Sequence, residues 1–296
     1  MPHVSTLSQY VVEEILLTVG LAQNRWGRKL TSPFFALPSR RLSQIALAFD
    51  AQIEQVGLRA AFAGVLPHFA NGFQVWGEKN IPEHGPLLVI ANHPGTVDSI
   101  LISSLLPRED LKIVAGFSPF TQALPTLREH LIFSSRELNQ RAMVIRAGIQ
   151  HLKAGGAMLL FPGGRIEPDP ACLPGACESL ATWSRSVELF LRQVPETHLV
   201  GAVVSHVLLP QFLHHPLVRF RKSPEARQRV AEFFQTIYQL MFPKRYLPTP
   251  RVSFSEPVCA GILPPTGKEM TPNILAFVRQ LFHDHLTYFG IAASVY

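Results

Sequence analysis

The sequence contains few charged residues and few cysteines, and both shortages restrict what the protein can be. Charged residues make up 16% of the 296 residues, below the roughly 25% of an average soluble domain, and the mean hydropathy is +0.17. The three cysteines (Cys172, Cys177 and Cys259) supply neither a disulfide framework nor zinc-site spacing. We expect a reducing compartment, and either an unusually apolar surface or a large, tightly packed core.

Long apolar runs and targeting signals are also missing. No segment reaches the ~20 apolar residues of a spanning helix, since the best candidate, residues 60–66, is followed by Pro67. The N-terminus carries Glu13 and Glu14 instead of a basic start and an apolar run. We therefore expect a cytoplasmic protein whose contact with a membrane, if it makes one, is peripheral and on the inner face.

The charge that is present is mainly positive. The formal net charge is +6 and the sequence pI is about 9.5, so the surface favours anionic partners such as phospholipid headgroups or phosphorylated substrates. Zinc-finger spacing, an RNP-like aromatic cluster and a long basic helix are absent from the sequence, which disfavours nucleic acid.

The first part of the chain is predicted to be helical. Apolar residues recur at helical spacing in residues 40–66, and residues 5–24 form a second predicted helix. The link between them contains Pro33 and Pro38 with basic and aromatic residues, which fits either a helical entry lying on an anionic bilayer or a solvated turn. We divide the chain into a helical N-terminal segment, residues 1–70, and an α/β domain, residues 71–296.

From about residue 72 onward, strand-like and helix-like segments alternate. This alternation predicts an α/β fold with a mixed, largely parallel sheet covered by helices. The predicted strands are residues 73–76, 87–91, 112–115, 131–134, 158–161, 199–205 and 251–254; the predicted helices are residues 97–106, 138–153, 178–193, 224–241 and 270–288.

The apolar strand 87–91 runs directly into Asn92-His93-Pro94-Gly95-Thr96-Val97-Asp98. His93 would lie at the strand end and Asp98 in the first turn of the next helix, where a carboxylate can hold one ring nitrogen and leave the other to accept a proton. A histidine at a strand end is more often structural, so this pair alone does not decide the function.

A second polar segment follows the predicted strand 158–161. It reads Phe161-Pro162-Gly163-Gly164-Arg165, in which two glycines let backbone amides approach an anion and Arg165 adds positive charge. Arg136 follows the strand 131–134, and its guanidinium suits a phosphate group. His206, His214 and His215 lack an acidic partner at ligand spacing, so we predict no metal site.

The order and spacing of these motifs resemble the glycerophospholipid acyltransferase family, which includes the glycerol-3-phosphate and 1-acylglycerol-3-phosphate acyltransferases. Asn92-His93 followed by four residues and Asp98 matches the family's NHx4D motif, and Arg136 matches the arginine of the second motif, displaced by one residue. Most of the family has Phe-Pro-Glu-Gly-Thr-Arg as its third motif. Here Phe161, Pro162 and Gly164 match, Gly163 replaces the glutamate, and Arg165 aligns with the threonine unless one residue is skipped. The Gly-Gly-Arg form is similar to the soluble plastid branch.

The resemblance implies transfer of a fatty acyl group from an acyl-CoA or acyl-carrier-protein thioester to the hydroxyl of a glycerol phosphate or lysophospholipid. It implies His93 as general base, Asp98 as its orienting partner, and no cofactor or metal. The implied substrate-binding residues are Asn92, Arg136, Gly163, Gly164 and Arg165. Two alternatives stay open, an acyltransferase for a non-phosphorylated acceptor and a catalytically silent lipid-binding protein. A serine hydrolase is disfavoured because the sequence has no Gly-x-Ser-x-Gly elbow.

Overall fold

Short apolar runs form the strands of one mixed sheet in the computed structural model, which describes residues 3–18, 25–134, 138–259 and 269–291. In this described part of the chain the sheet has eight strands. They are β1 (Gln74–Trp76), β2 (Leu87–Ala91), β3 (Lys112–Gly116), β4 (Leu131–Ser134), β5 (Ala157–Leu160), β6 (His198–Ser205), β7 (Arg251–Phe254) and β8 (Val258–Cys259).

The strand order is β1-β7-β6-β2-β5-β3-β4, with β8 pairing with β6. All neighbouring strands are parallel except the pairs β6–β7 and β6–β8. All five residues of β2 are buried between β5 and β6, as expected for a parallel strand covered on both faces. The predicted mixed, largely parallel α/β fold is confirmed. Its geometry brings the residues after β2, β5 and β6 to the same edge of the sheet, where sites in α/β folds usually form.

Helices cover both faces of the sheet, and separate apolar clusters pack on each side of β2. The helices are α1 (Val4–Thr18), α2 (Arg25–Val56), α3 (Leu58–Val65), α4 (Thr96–Leu105), α5 (Pro119–Gln122), α6 (Pro125–Glu129), α7 (Leu138–Lys153), α8 (Ala176–Ser179), α9 (Ser186–Gln193), α10 (Pro210–Leu213), α11 (Pro216–Arg219), α12 (Pro224–Met241) and α13 (Thr271–Tyr288).

The predicted link around Pro33 and Pro38 is wrong, because α2 continues through both prolines. A proline inside a helix removes one backbone hydrogen bond, and tertiary contacts here hold the helix despite that loss. The guanidinium of Arg41 donates to the carbonyls of Leu240 and Met241 at 2.7 and 2.8 Å. The predicted single helix 40–66 ends instead at Val56, because Gly57 adopts a φ of +87° and α3 begins after it.

The predicted helix 178–193 is also wrong, because it is interrupted at Trp183. A 3-10 turn ends at Thr182, Trp183 is extended, and α9 starts at Ser186. The Trp183 indole donates a hydrogen bond to the carboxylate of Glu167 at 2.7 Å, and the Ser184 N–H donates to the carbonyl of Pro162 at 2.9 Å. These long-range bonds outweigh the local preference for a continuous helix.

Buried contacts cross the proposed boundary near residue 70. The Asp50 carboxylate in α2 accepts a hydrogen bond from the Leu127 N–H in α6 at 2.7 Å. The N-terminal helices are therefore packed against the α/β part of the chain. No helix in the described ranges combines the length and apolar composition needed to cross a bilayer. All three cysteines are free thiols.

Candidate active site

His93 and Asp98 form a direct pair at the end of β2. The Nδ1 atom of His93 lies 3.1 and 3.0 Å from the two carboxylate oxygens of Asp98. Asp98 is completely buried in the first turn of α4, and its carboxylate also accepts the Gly95 N–H at 3.0 Å. The predicted contact between the two side chains is present. Asp98 therefore both orients the imidazole and ties down the main chain of the turn.

The remaining surroundings of His93 leave its second nitrogen available. The side chain is 26% exposed, and its ring packs against the ring of Phe161 with centroids 4.5 Å apart. Among the described residues, Nε2 has no hydrogen-bond partner. If Nδ1–H donates to Asp98, as the hydrogen-bond network requires, Nε2 is the lone-pair acceptor that a general base needs.

Three acidic side chains act on the protonation of His93. Burial by itself lowers the pKa of His93, but the charge and hydrogen bond of Asp98 oppose it, and the charges of Glu232 and Glu167 add to the effect of Asp98. The result is a pKa raised above the ordinary histidine value. The imidazolium is therefore stabilised here, as required of a base that holds a proton during a reaction.

Asn92 does not face the site as a substrate ligand would. Its amide nitrogen donates to the Val204 carbonyl at 2.9 Å, and its amide oxygen accepts the Val204 N–H at 2.8 Å. The residue is 1% exposed, so the backbone of β6 satisfies its polar atoms. We interpret Asn92 as a link between β2 and β6, and we withdraw its predicted role in substrate binding.

The helix α12 holds the other side of the turn after β2. The Gln228 amide donates to the Pro94 carbonyl at 2.6 Å, and the Glu232 carboxylate accepts the Thr96 N–H at 2.8 Å. A Cβ on Gly95 would lie 3.1 Å from the Cγ of Glu232. This close approach leaves little room for a side chain at position 95.

The segment after β5 forms a tight turn beside His93. The Gly164 N–H donates to the Phe161 carbonyl at 3.0 Å, and Gly164 has a φ of +63° with open space around it. Glycine adopts this left-handed conformation at no steric cost. Arg165 is exposed and has no hydrogen bond or ion pair within the described residues, so its guanidinium remains available to a ligand.

Glu167 was not assigned a role from the sequence, yet it contacts His93 directly. One carboxylate oxygen accepts the His93 N–H at 2.9 Å, and the other accepts the Trp183 indole N–H at 2.7 Å. Burial raises the pKa of Glu167, and the hydrogen bonds from Trp183 and the His93 backbone oppose that rise. The signal in the sequence was an acidic residue within a motif that had lost its usual glutamate.

The other predicted residues lie elsewhere or outside the described part. Arg136 belongs to residues 135–137, which are not described. His215 packs its ring on Phe234 with centroids 4.2 Å apart, and burial followed by the charge of Arg251 lowers the pKa of His206 to about 4. In the described ranges there is no group of three or more histidine, cysteine and acidic residues able to hold a metal ion.

Comparison with known proteins agrees with the motifs. Residues 72–185 match a family model described as Acyltransferase, and they contain both His93 and the turn after β5. Among solved structures, the 1-acyl-sn-glycerophosphate (LPA) acyltransferase PlsC from Thermotoga maritima is similar, with 16% sequence identity, coverage of 94% of each chain and a TM-score of 0.46. A TM-score this low gives that likeness no weight. A search of curated proteins finds no match.

The contact between Asp98 and His93 leads to a prediction that needs no substrate. We expect Asp98→Asn to lower the pKa of His93, because the loss of the largest opposing effect leaves burial as the dominant one. NMR titration of the His93 ring measures this shift. Asp284→Asn, a change in α13, serves as the control and leaves the titration unchanged. An unaltered His93 pKa in Asp98→Asn would show that the carboxylate does not stabilise the imidazolium.

Proposed function

We propose that this chain, whose residues 72–185 match the Acyltransferase family model, transfers a fatty acyl group from a thioester to the hydroxyl of a glycerol phosphate or lysophospholipid. The observation that carries the proposal is the His93–Asp98 pair, with Nδ1 held by a buried carboxylate and Nε2 left without a partner in the described structure. This arrangement suits removal of a proton from an alcohol. The donor is an acyl-CoA or an acyl-carrier protein.

His93 acts as the general base. It takes the hydroxyl proton of the acceptor at Nε2 while the oxygen attacks the thioester carbonyl, and the thiolate leaves when the tetrahedral intermediate collapses. The proton on the imidazolium then passes to the departing thiolate, so the base is regenerated. Asp98 stabilises the imidazolium in between, and no acyl-enzyme forms.

The turn after β5 is the favoured source of the oxyanion donors. The backbone N–H groups of His93, Gly95 and Thr96 already donate to carboxylates. Those of Gly163 and Arg165 have no hydrogen bond within the described residues. Donors that are not already occupied can stabilise the developing charge on the thioester oxygen.

Arg165 would hold the phosphate of the acceptor, together with Arg136 from the second motif. The support is its exposure, its place in the turn whose Phe161 packs against the His93 ring, and the fit of a guanidinium to phosphate. The runner-up function is transfer to a non-phosphorylated acceptor, which the glycine at position 163 keeps open. A silent lipid-binding protein is disfavoured by the intact pair of His93 and Asp98.

A membrane contact is proposed at a short segment next to α12, residues 217–222. Leu217 and Phe220 are 53% and 82% exposed, and the segment also carries exposed Arg219, Arg221 and Lys222. Apolar side chains flanked by basic ones are suited to an anionic lipid surface. The segment immediately precedes α12, whose Gln228 contacts Pro94 in the turn that holds His93.

The support for a membrane contact by the N-terminal segment is weaker than the sequence suggested. Phe34 is 78% exposed, but Arg41 is engaged by the end of α12, and the side chains of residues 17–33 lie outside the described set. We keep the division at residue 70, and a membrane-facing role for residues 1–70, as a proposal.

The central test is the loss of His93. We expect His93→Ala to lower acyl transfer by about 10²–10⁴-fold and to remain folded, because its ring is partly exposed. Release of free thiol from palmitoyl-CoA, with glycerol-3-phosphate, lysophosphatidic acid or no acceptor, measures the activity. His214→Ala, at an exposed histidine, is the control. Near-full activity of His93→Ala would refute the proposed role of His93 as general base.

Because Arg165 is proposed to bind the acceptor phosphate and not to take part in the chemical step, its loss should change KM and leave kcat nearly unchanged. We expect Arg165→Ala to raise the KM for a phosphorylated acceptor about tenfold or more, since a hydrogen bond to a charged group contributes about 1.5–3 kcal/mol. The kcat should change little. A monoacylglycerol acceptor, which lacks the phosphate, provides the matched comparison. An unchanged KM for both acceptors would contradict phosphate binding by Arg165.

The membrane proposal is tested by co-sedimentation with vesicles of phosphatidylglycerol and phosphatidylcholine. We expect the double variant Leu217→Ser/Phe220→Ser to bind about tenfold more weakly, because two apolar side chains no longer enter the interface. Leu189→Ser, at a leucine with a similar exposure of 48%, is the control. Equal binding of the double variant and the wild type would place the membrane contact elsewhere.

A further inference from the structure

The side chain of Glu167 lies in the space that a side chain at position 163 would occupy. A Cβ built on Gly163 would lie 2.5 Å from Oε1 and 2.9 Å from Cδ of Glu167. The φ of Gly163 lies outside the left-handed region, so φ does not require glycine at this position. A Cβ at position 163 would therefore displace the carboxylate of Glu167, and this contact, not the φ of the turn, disfavours a larger residue.

Position 163 is the place where most of the family has a glutamate in its third motif. In a glutamate side chain the carboxyl carbon lies two carbon–carbon bonds from Cβ, a span of about 2.5 Å. The Cδ atom of Glu167 lies 2.9 Å from the Cβ position of residue 163. A glutamate at 163 would thus reach the same small volume that the Glu167 carboxylate fills from four residues further along the chain.

We propose that Glu167 is a positioning residue that replaces the missing motif glutamate and holds the main chain of His93 in its reactive place. This inference rests on the proposed role of His93 as general base. The evidence for it is twofold. The Glu167 carboxylate lies where the side chain of a glutamate at position 163 would lie, and the His93 N–H donates a hydrogen bond to that carboxylate at 2.9 Å.

The contacts of Glu167 make it a rigid support. It is 1% exposed, and its second oxygen accepts the indole N–H of Trp183 at 2.7 Å and the hydroxyl of Ser179 at 3.3 Å. Asp98 fixes the ring of His93, and Glu167 fixes its backbone. A small displacement of a catalytic group costs up to about 10²-fold in rate.

The backbone of position 167 makes a separate bond that every side-chain variant keeps. The Glu167 N–H donates to the His93 carbonyl at 2.8 Å. Replacement of the side chain therefore removes the hydrogen bonds that the carboxylate accepts from the His93 N–H, Trp183 and Ser179, but the two loops stay joined by this backbone bond. This allows the positioning effect to be separated from the pairing of the loops.

The experiment moves the carboxylate from position 167 to position 163. Four variants are compared with the wild type: Glu167→Ala, Gly163→Glu, the exchange Gly163→Glu/Glu167→Ala, and the matched control Gly163→Ala/Glu167→Ala. Each is assayed for kcat and KM, for thermal unfolding, and for amide hydrogen exchange of the peptide that contains His93. Glu167→Gln is added as a variant of nearly unchanged shape, in case the alanine variant does not fold.

We expect Glu167→Ala to lose about ten- to a hundredfold in kcat with little change in KM, and the exchange variant to recover most of that loss. The control double variant fills position 163 without supplying a carboxylate, so it should stay impaired. Gly163→Glu alone should be impaired because two carboxylates meet in one volume. Exchange at the His93 amide should be faster wherever kcat is low and slow again in the exchange variant.

Two results would overturn the inference. One is a folded exchange variant no more active than the control double variant; the other is unchanged His93 amide exchange in folded Glu167→Ala or Glu167→Gln. A wild type without any transferase activity would instead refute the proposed function. The amide exchange would then still decide whether the carboxylate can be moved between the two positions.

Discussion

Three carboxylates hold the turn that follows β2, and the position of His93 depends on them. The backbone N–H groups of His93, Gly95 and Thr96 donate to Glu167, Asp98 and Glu232 respectively. The first carboxylate comes from the loop after β5, the second from α4 and the third from α12. Because hydrogen bonds to charged acceptors are stronger than neutral ones, the turn is fixed from three directions.

The same three acids give the site its electrostatic character. Each is largely removed from water, which is unfavourable for a charged carboxylate, and backbone donors compensate for part of that cost. Burial raises the pKa of Glu167 and of Glu232. The negative charge that remains raises the pKa of His93. One arrangement therefore fixes the backbone of the histidine and also favours its protonated ring.

Most of the sheet could be predicted from the sequence because its strands are short, mainly apolar segments. The strands at 87–91, 131–134 and 251–254 have the predicted bounds, and so do the helices at 138–153 and 224–241. The failures occurred where distant residues intervene. Trp183 leaves its helix to reach Glu167, and α2 continues through Pro38 with Arg41 bound to the end of α12. In neither case does the local sequence contain the partner.

For the site, the sequence by itself determined the order of the motifs, their resemblance to the acyltransferase family and the pairing of His93 with Asp98. It could do so because both residues lie within one strand–turn–helix unit, where spacing alone brings them together. Only the tertiary structure decided that Asn92 binds β6, that Glu232 and Gln228 hold the turn, and that Glu167 occupies the space beside Gly163. These contacts join residues that are 4 to 136 positions apart, and they exist because parallel strands bring their carboxyl ends to one edge of the sheet.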